Sequence, residues 1–91
     1  MTEEVVDVPA RSRFELDLGG LVSWADYRVN GDRIAITHVE APPALRGTGA
    51  AGRLMEGVLA IARARGVKVT PLCGYAAAYM RRHSEHADLL G

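Results

Sequence analysis

Two consecutive prolines, Pro42 and Pro43, divide this chain into halves with different hydrophobic periods. Before them apolar and polar residues alternate, as in half-buried strands. After them apolar residues recur at three- and four-residue steps, as on one face of a helix. Proline donates no backbone N–H, so the pair ends strand pairing. The run that follows, Ala44-Leu45-Arg46-Gly47-Thr48-Gly49-Ala50-Ala51-Gly52, has glycines that let the chain turn tightly into a helix with its first amides exposed. Four N–H groups, the positive end of a helix dipole and Arg46 then converge on one spot. That arrangement suits an anion, and a phosphate in particular. The same residues also read as a glycine-softened loop with a surface arginine.

Upstream, residues 1–12 mix Val5, Val6 and Val8 with charges and Pro9, which fits a short edge strand or a loose arm. From Arg13, the residues Phe14, Leu16 and Leu18 alternate with Glu15 and Asp17, predicting a half-buried strand. Gly19-Gly20 predicts a hairpin turn into a second strand over 21–29, and Asn30-Gly31 a hairpin turn into a third over 33–41. On that third strand Ile34, Ile36, His38 and Glu40 are expected on one face, with Thr37 and Val39 on the other. The three strands make an antiparallel meander.

Downstream, the spacing of Leu54, Met55, Val58, Ile61 and Ala62 predicts a helix from residue 47 or 48 to about 65, capped by Gly66. Residues 67–70 then read as a strand ended by Pro71, so that strand, helix and strand form a parallel crossover. A second helix is expected over about 74–83, with Tyr75 and Tyr79 on one face. Leu89-Leu90 are expected to tuck onto the sheet. The fold class is α/β (α+β), in one domain spanning residues 1–91.

An apolar fraction of 48% suffices for a packed core, which argues against disorder. Eleven basic and eleven acidic side chains cancel, which argues against a nucleic-acid partner. The lone Cys73 leaves no intramolecular disulfide framework or multi-cysteine zinc site. No apolar run reaches the ~20 residues of a membrane span. The acidic start (Glu3, Glu4, Asp7) lacks the basic, then apolar, pattern of a signal peptide. A cytoplasmic location, without membrane partners, is the expectation.

Gly47-Thr48-Gly49-Ala50-Ala51-Gly52 matches the dinucleotide fingerprint G-x-G-x-x-G, but the context does not. An antiparallel meander precedes it, no acid answers it ~20 residues on, and too little chain remains for a doubly wound sheet. A Walker-type phosphate loop fails for want of Gly-Lys-Ser/Thr. Arg46-Gly47-Thr48-Gly49-Ala50-Ala51 instead fits Arg/Gln-x-x-Gly-x-Gly/Ala after a strand and a proline. It resembles the acyl-coenzyme A signature of the GCN5-related N-acetyltransferases (GNAT superfamily). Arg13-Phe14-Glu15-Leu16, His38-Val39-Glu40-Ala41-Pro42-Pro43, Pro71-Leu72-Cys73-Gly74-Tyr75 and Arg82-His83-Ser84-Glu85 extend the resemblance in order along nearly the whole chain. Together they are similar to the small, single-domain YjdJ-like group. That group more often shows His-Thr-Glu-Val-Pro-Pro and His-Pro-Glu, where this chain has Val39, Ala41 and Ser84.

The resemblance implies a minimal GNAT-like fold: an antiparallel meander, a β-α-β crossover and a C-terminal helix. It implies acetyl-CoA as cosubstrate, with the loop amides on the pyrophosphate and the pantetheine beside the strand before the loop. Cofactor contacts are expected from Val39, Ala41, Arg46, Gly47, Thr48, Gly49, Ala50, Ala51 and Tyr75. Val39 and Ala41 would offer backbone N–H groups to the thioester carbonyl.

For proton transfer His38 is a natural base or relay near neutral pH, with Glu40 beside it. His38 reads equally as a partly buried histidine bonded to a neighbouring strand, and Glu40 as a solvated carboxylate. Cys73 stands at the mouth of the second helix, where a thiol gains nucleophilicity; a free cysteine is also an ordinary core residue. In larger relatives a tyrosine on this helix protonates the departing thiolate, which makes Tyr79, with Tyr75 on the same face, a candidate, though core packing explains two helical tyrosines as well. His83 and His86 have a spacing that mimics a metal pair, but read as surface or helix-end residues, and no metal is expected.

The function these residues point to is acetyl transfer to an amine. The rival is a non-catalytic acyl-CoA-binding module acting through a partner protein. Most such acetyltransferases carry helices between their first strands that shape the acceptor site. The Gly19-Gly20 hairpin leaves no room for them, so the acceptor side is expected to be open, suiting a large acceptor such as a protein.

Overall fold

The structure, a computed structural model, describes residues 4–91. The part of the expected edge strand or arm at residues 1–3 lies outside them. Among the described residues five strands form one sheet in sequential order: β1 (Val6–Val8), β2 (Arg13–Leu18), β3 (Leu21–Asn30), β4 (Arg33–Glu40) and β5 (Lys68–Pro71). The first four are antiparallel, and β5 joins β4 in parallel after the crossover through α1 (Ala50–Arg65). A second helix, α2 (Gly74–Arg82), and a 3-10 turn over Ser84–Leu89 complete the chain. The mixed α/β architecture is the one expected.

The alternation of β2 becomes the floor of the core. Phe14 and Leu16 are buried, and their rows continue through Ser23, Ala25 and Tyr27 on β3, Ile34 and Ile36 on β4, and Val69 on β5. From above, α1 contributes Leu54, Met55, Val58, Leu59 and Ala62, and α2 contributes Ala76 and Met80, to the same cluster. Both helices therefore cover one face of the sheet. Leu59 joins the buried stripe, whereas Ile61, expected in it, is only half-buried. Leu89 is buried as predicted, and Leu90 bridges to Val69 while remaining exposed.

Gly57 in mid-α1 has a packing reason. A Cβ there would lie 2.2 Å from Val5 Cγ2 and 2.6 Å from its Cβ, so glycine lets the chain ahead of β1 lie directly on the helix. Asp7 of β1 is tied in from both sides: Tyr27 Oη donates to it at 2.6 Å and Arg65 pairs with it at 2.7 Å.

Three expectations need correction. The second hairpin turn is Gly31-Asp32 rather than Asn30-Gly31, because Asn30 still pairs with Arg33. Helix α1 starts at Ala50, not at residue 47 or 48, since a 3-10 turn at Pro43–Leu45 and the glycine loop use up the intervening chain. The third concerns faces. Asp26 pairs with His38 and Tyr27 with Ile36, leaving Thr37 as an extra residue, a β-bulge whose hydroxyl donates to the Asp26 carbonyl at 3.3 Å. A bulge reverses the alternation beyond it. Val39 thus packs against the core on the side of Ile34 and Ile36, while His38 is exposed on the opposite face with Glu40.

Candidate active site

The turn into α1 is built as its glycines require. Gly47 and Gly49 have φ of 79° and 83°, in the left-handed region, and a Cβ on either would meet nothing within 4 Å. Backbone conformation, not crowding, selects glycine here. Helix α1 makes its first internal bond from Arg53 N to Gly49 O. The amides of Gly49, Ala50, Ala51 and Gly52 precede that bond, the N-cap glycine offers no side-chain cap, and no acidic residue stands in the first turn. Arg46 beside them forms no ion pair among the described residues.

A pocket of about 320 Å³ opens onto this turn, lined by Ala41, Leu45, Arg46, Gly47, Gly49, Ala50, Ala51, Gly52 and Tyr75. Most of the expected cofactor residues are therefore brought together. Thr48 is not among the lining residues. Its amide and hydroxyl both donate to the Leu45 carbonyl, at 3.1 and 2.5 Å, so it holds the turn. The Tyr75 hydroxyl and the Tyr79 ring lie against Gly52, where a Cβ would sit 3.9 and 3.7 Å from them.

From the pocket a fork runs through the sheet. Strands β4 and β5 pair only from Arg33–Lys68 to Ile36–Pro71. There the Ile36 carbonyl accepts from both Leu72 N, at 2.9 Å, and Cys73 N, at 3.2 Å, and β5 turns away into α2. Beyond Ile36, β4 continues to Glu40 with no strand on that side among the described residues. Residues on one face of a strand direct their N–H and C=O to the same edge. Val39 shares the face of Ile36, so its N–H and C=O point into the fork.

The reactive candidates line both mouths of this fork. On the covered side Cys73 is the N-cap of α2; its Sγ accepts from Ala76 N at 3.3 Å, and the side chain is half-buried against the core. On the open side His38 Nε2 lies 2.9 Å from Glu40 Oε1, with side chains 55% and 41% exposed. Trp24 pairs in register with Glu40 and Asp26 with His38, and the Arg13 guanidinium lies 5.0 Å from the Trp24 ring centre. His38 and Cys73 are thus separated by the sheet, not gathered on one side of it.

Tyr79 lies farther along α2. Its hydroxyl donates to Glu56 of α1, and burial together with that bond pushes its pKa well above the ordinary 10.0. The Glu56 carboxyl is held below its ordinary value, chiefly by the Tyr79 hydrogen bond and further by His86. His86, expected at the surface or at a helix end, stands in the last turn of the 3-10 segment with its side chain 13% exposed, and Nε2 lies 3.1 Å from both Glu56 oxygens. Glu56 itself was hidden in the sequence, where a carboxylate outside the apolar stripe reads as solvated. Its partners stand far along the chain, and no spacing signals them.

A family model described as GCN5-related N-acetyl-transferase matches residues 13–89. The chain belongs to that family. Among solved structures, it is similar to the solution structure of a GCN5-like protein from Staphylococcus aureus, itself proposed to be an N-acetyltransferase. The two share 22% identity at a TM-score of 0.75, over 100% of this chain and 91% of the other. That likeness supports the fold. No match was found among curated protein sequences. No helix among the described residues is long and apolar enough to cross a membrane.

Proposed function

We propose that this protein is an acetyl-CoA-dependent N-acetyltransferase. The observation that carries the reading is the uncapped first turn of α1, with Arg46 beside it, opening onto the β4–β5 fork. A pyrophosphate carries negative charge and many acceptor oxygens. Four convergent N–H groups, the helix dipole and a guanidinium match it. The pantetheine then follows Ala41 and Val39 into the fork, where the Val39 N–H is the donor for the thioester carbonyl. Tyr75 closes the pocket from the α2 side.

Acetyl transfer to an amine requires a neutral nitrogen. His38, steadied by Glu40, takes the ammonium proton on the open face as the amine attacks the carbonyl carbon. The bond to sulfur then breaks and the thiolate receives a proton. Tyr79 is the donor if its hydroxyl exchanges Glu56 for the sulfur. Cys73, on the covered side of the fork, is the alternative nucleophile for a two-step route.

No helix among the described residues covers the open face, which leaves room for a protein-sized acceptor. The same openness favours a second reading, a CoA-binding module without turnover. Incubation with isotopically labelled acetyl-CoA and added amines separates them. Transfer to amines, lost in His38→Ala, supports the enzyme; label confined to Cys73 supports the module.

A further inference from the structure

A polar cluster where α1, α2 and the final 3-10 turn meet has no part in the transfer chemistry beyond Tyr79. Glu56 projects from α1, His83 follows the end of α2, and Glu85 lies in the turn over Ser84–Leu89. One ligand atom from each of these three side chains lies within 4.8 Å of those of the other two. Two donors bound to one first-row ion at about 2.1 Å each stand at most about 4.2 Å apart. Small side-chain rotations therefore bring all three onto one ion.

We propose that Glu56, His83 and Glu85 form a binding site for a divalent transition-metal ion, zinc being the best fit. One imidazole nitrogen and two carboxylates suit zinc, with water in the fourth position, and the two carboxylate charges neutralise the ion. A magnesium ion would favour an all-oxygen octahedron, which the imidazole does not serve.

The groups around the three ligands support the assignment. Tyr79 Oη and His86 Nε2 both bond the Glu56 carboxylate, which fixes its orientation as outer-sphere partners do in metal sites. The His83 ring stacks on the Tyr79 ring with centroids 4.1 Å apart, and His83 Nδ1 lies 3.5 Å from Glu85 Oε2. Side-chain exposures of 48%, 39% and 62% for Glu56, His83 and Glu85 leave the site open to exchange with solvent. An ion here would staple the C-terminal turn to both helices, stabilising the folded state by linkage.

Titration with zinc chloride and with cobalt(II), read by calorimetry and by the visible absorption of cobalt, tests the site directly. One equivalent is expected to bind and to raise the melting temperature. His83→Ala and Glu85→Gln should each weaken binding at least about tenfold, while Cys73→Ser leaves it unchanged. Far-UV circular dichroism shows whether each variant is folded. Absence of binding at millimolar zinc would overturn the proposal. Binding unchanged in folded His83→Ala and Glu85→Gln, or lost in Cys73→Ser, would do the same.

Discussion

The Cys73 amide donates to the Ile36 carbonyl at 3.2 Å, and at that bond β5 leaves β4. The residues proposed for the reaction centre are positioned by this departure. Val39 follows Ile36 across the Thr37 bulge and directs its backbone into the gap. Cys73 begins α2 on the covered side, and His38 with Glu40 faces solvent on the other.

The proposed mechanism puts His38 on the acceptor side alone, so its loss should affect turnover and spare coenzyme binding. His38→Ala is expected to lower the rate of transfer by roughly 10²–10⁴-fold with acetyl-CoA affinity changed by less than about twofold. Steady-state kinetics beside calorimetric titration measures both. An equal loss in each would place His38 in the cofactor pocket.

The cradle depends on left-handed backbone at Gly49. Gly49→Ala should cost about 1–2 kcal/mol in urea unfolding, since an L-residue is strained there although its Cβ meets nothing within 4 Å. Acetyl-CoA affinity should fall as well. The same substitution at Gly74, whose φ is not positive and which also has nothing within 4 Å, is expected to be milder.

Tyr27 reports on the β1 edge. Burial, then the hydrogen bond to Asp7, push its pKa from 10.0 to about 12. Its folded-state value lies above the unfolded one. The stability it contributes is therefore complete below pH 10 and lost as pH rises towards 12. Wild type should lose stability across that window, and Tyr27→Phe should flatten the dependence. Chemical denaturation at a series of alkaline pH values measures it.

Glu56 gives the opposite sign. Its folded-state pKa is depressed, first by the Tyr79 hydroxyl. Its contribution is present above the ordinary value of 4.5 and lost as pH falls through the depressed one. Tyr79→Phe removes the main cause, so the acid-unfolding midpoint should move to higher pH. An unmoved midpoint would show that the bond does not persist in solution.

Much of this was legible in the sequence, for physical reasons. Alternation at Phe14-Glu15-Leu16 can be satisfied only by a strand with one buried face, and Gly19-Gly20 can hardly be anything but a turn. Arg46-Gly47-Thr48-Gly49 announced the tight turn into α1 because left-handed backbone leaves a compositional mark. The Thr37 bulge leaves none: Ile36-Thr37-His38-Val39 is good strand sequence in either register, so the face of Val39 was read wrongly. Glu56, Tyr79 and His86 form a network across 23 and 30 residues of chain, which local pattern does not encode.

The central claim is that the first turn of α1 holds the coenzyme pyrophosphate. Titration of ¹⁵N-labelled protein with coenzyme A, followed by amide shifts, tests it most directly. The largest changes are expected at Gly47, Gly49, Ala50, Ala51 and Gly52, and Arg46→Glu should abolish them. Unshifted amides at these positions at millimolar coenzyme A, or changes confined to the open face around Trp24, would contradict the account.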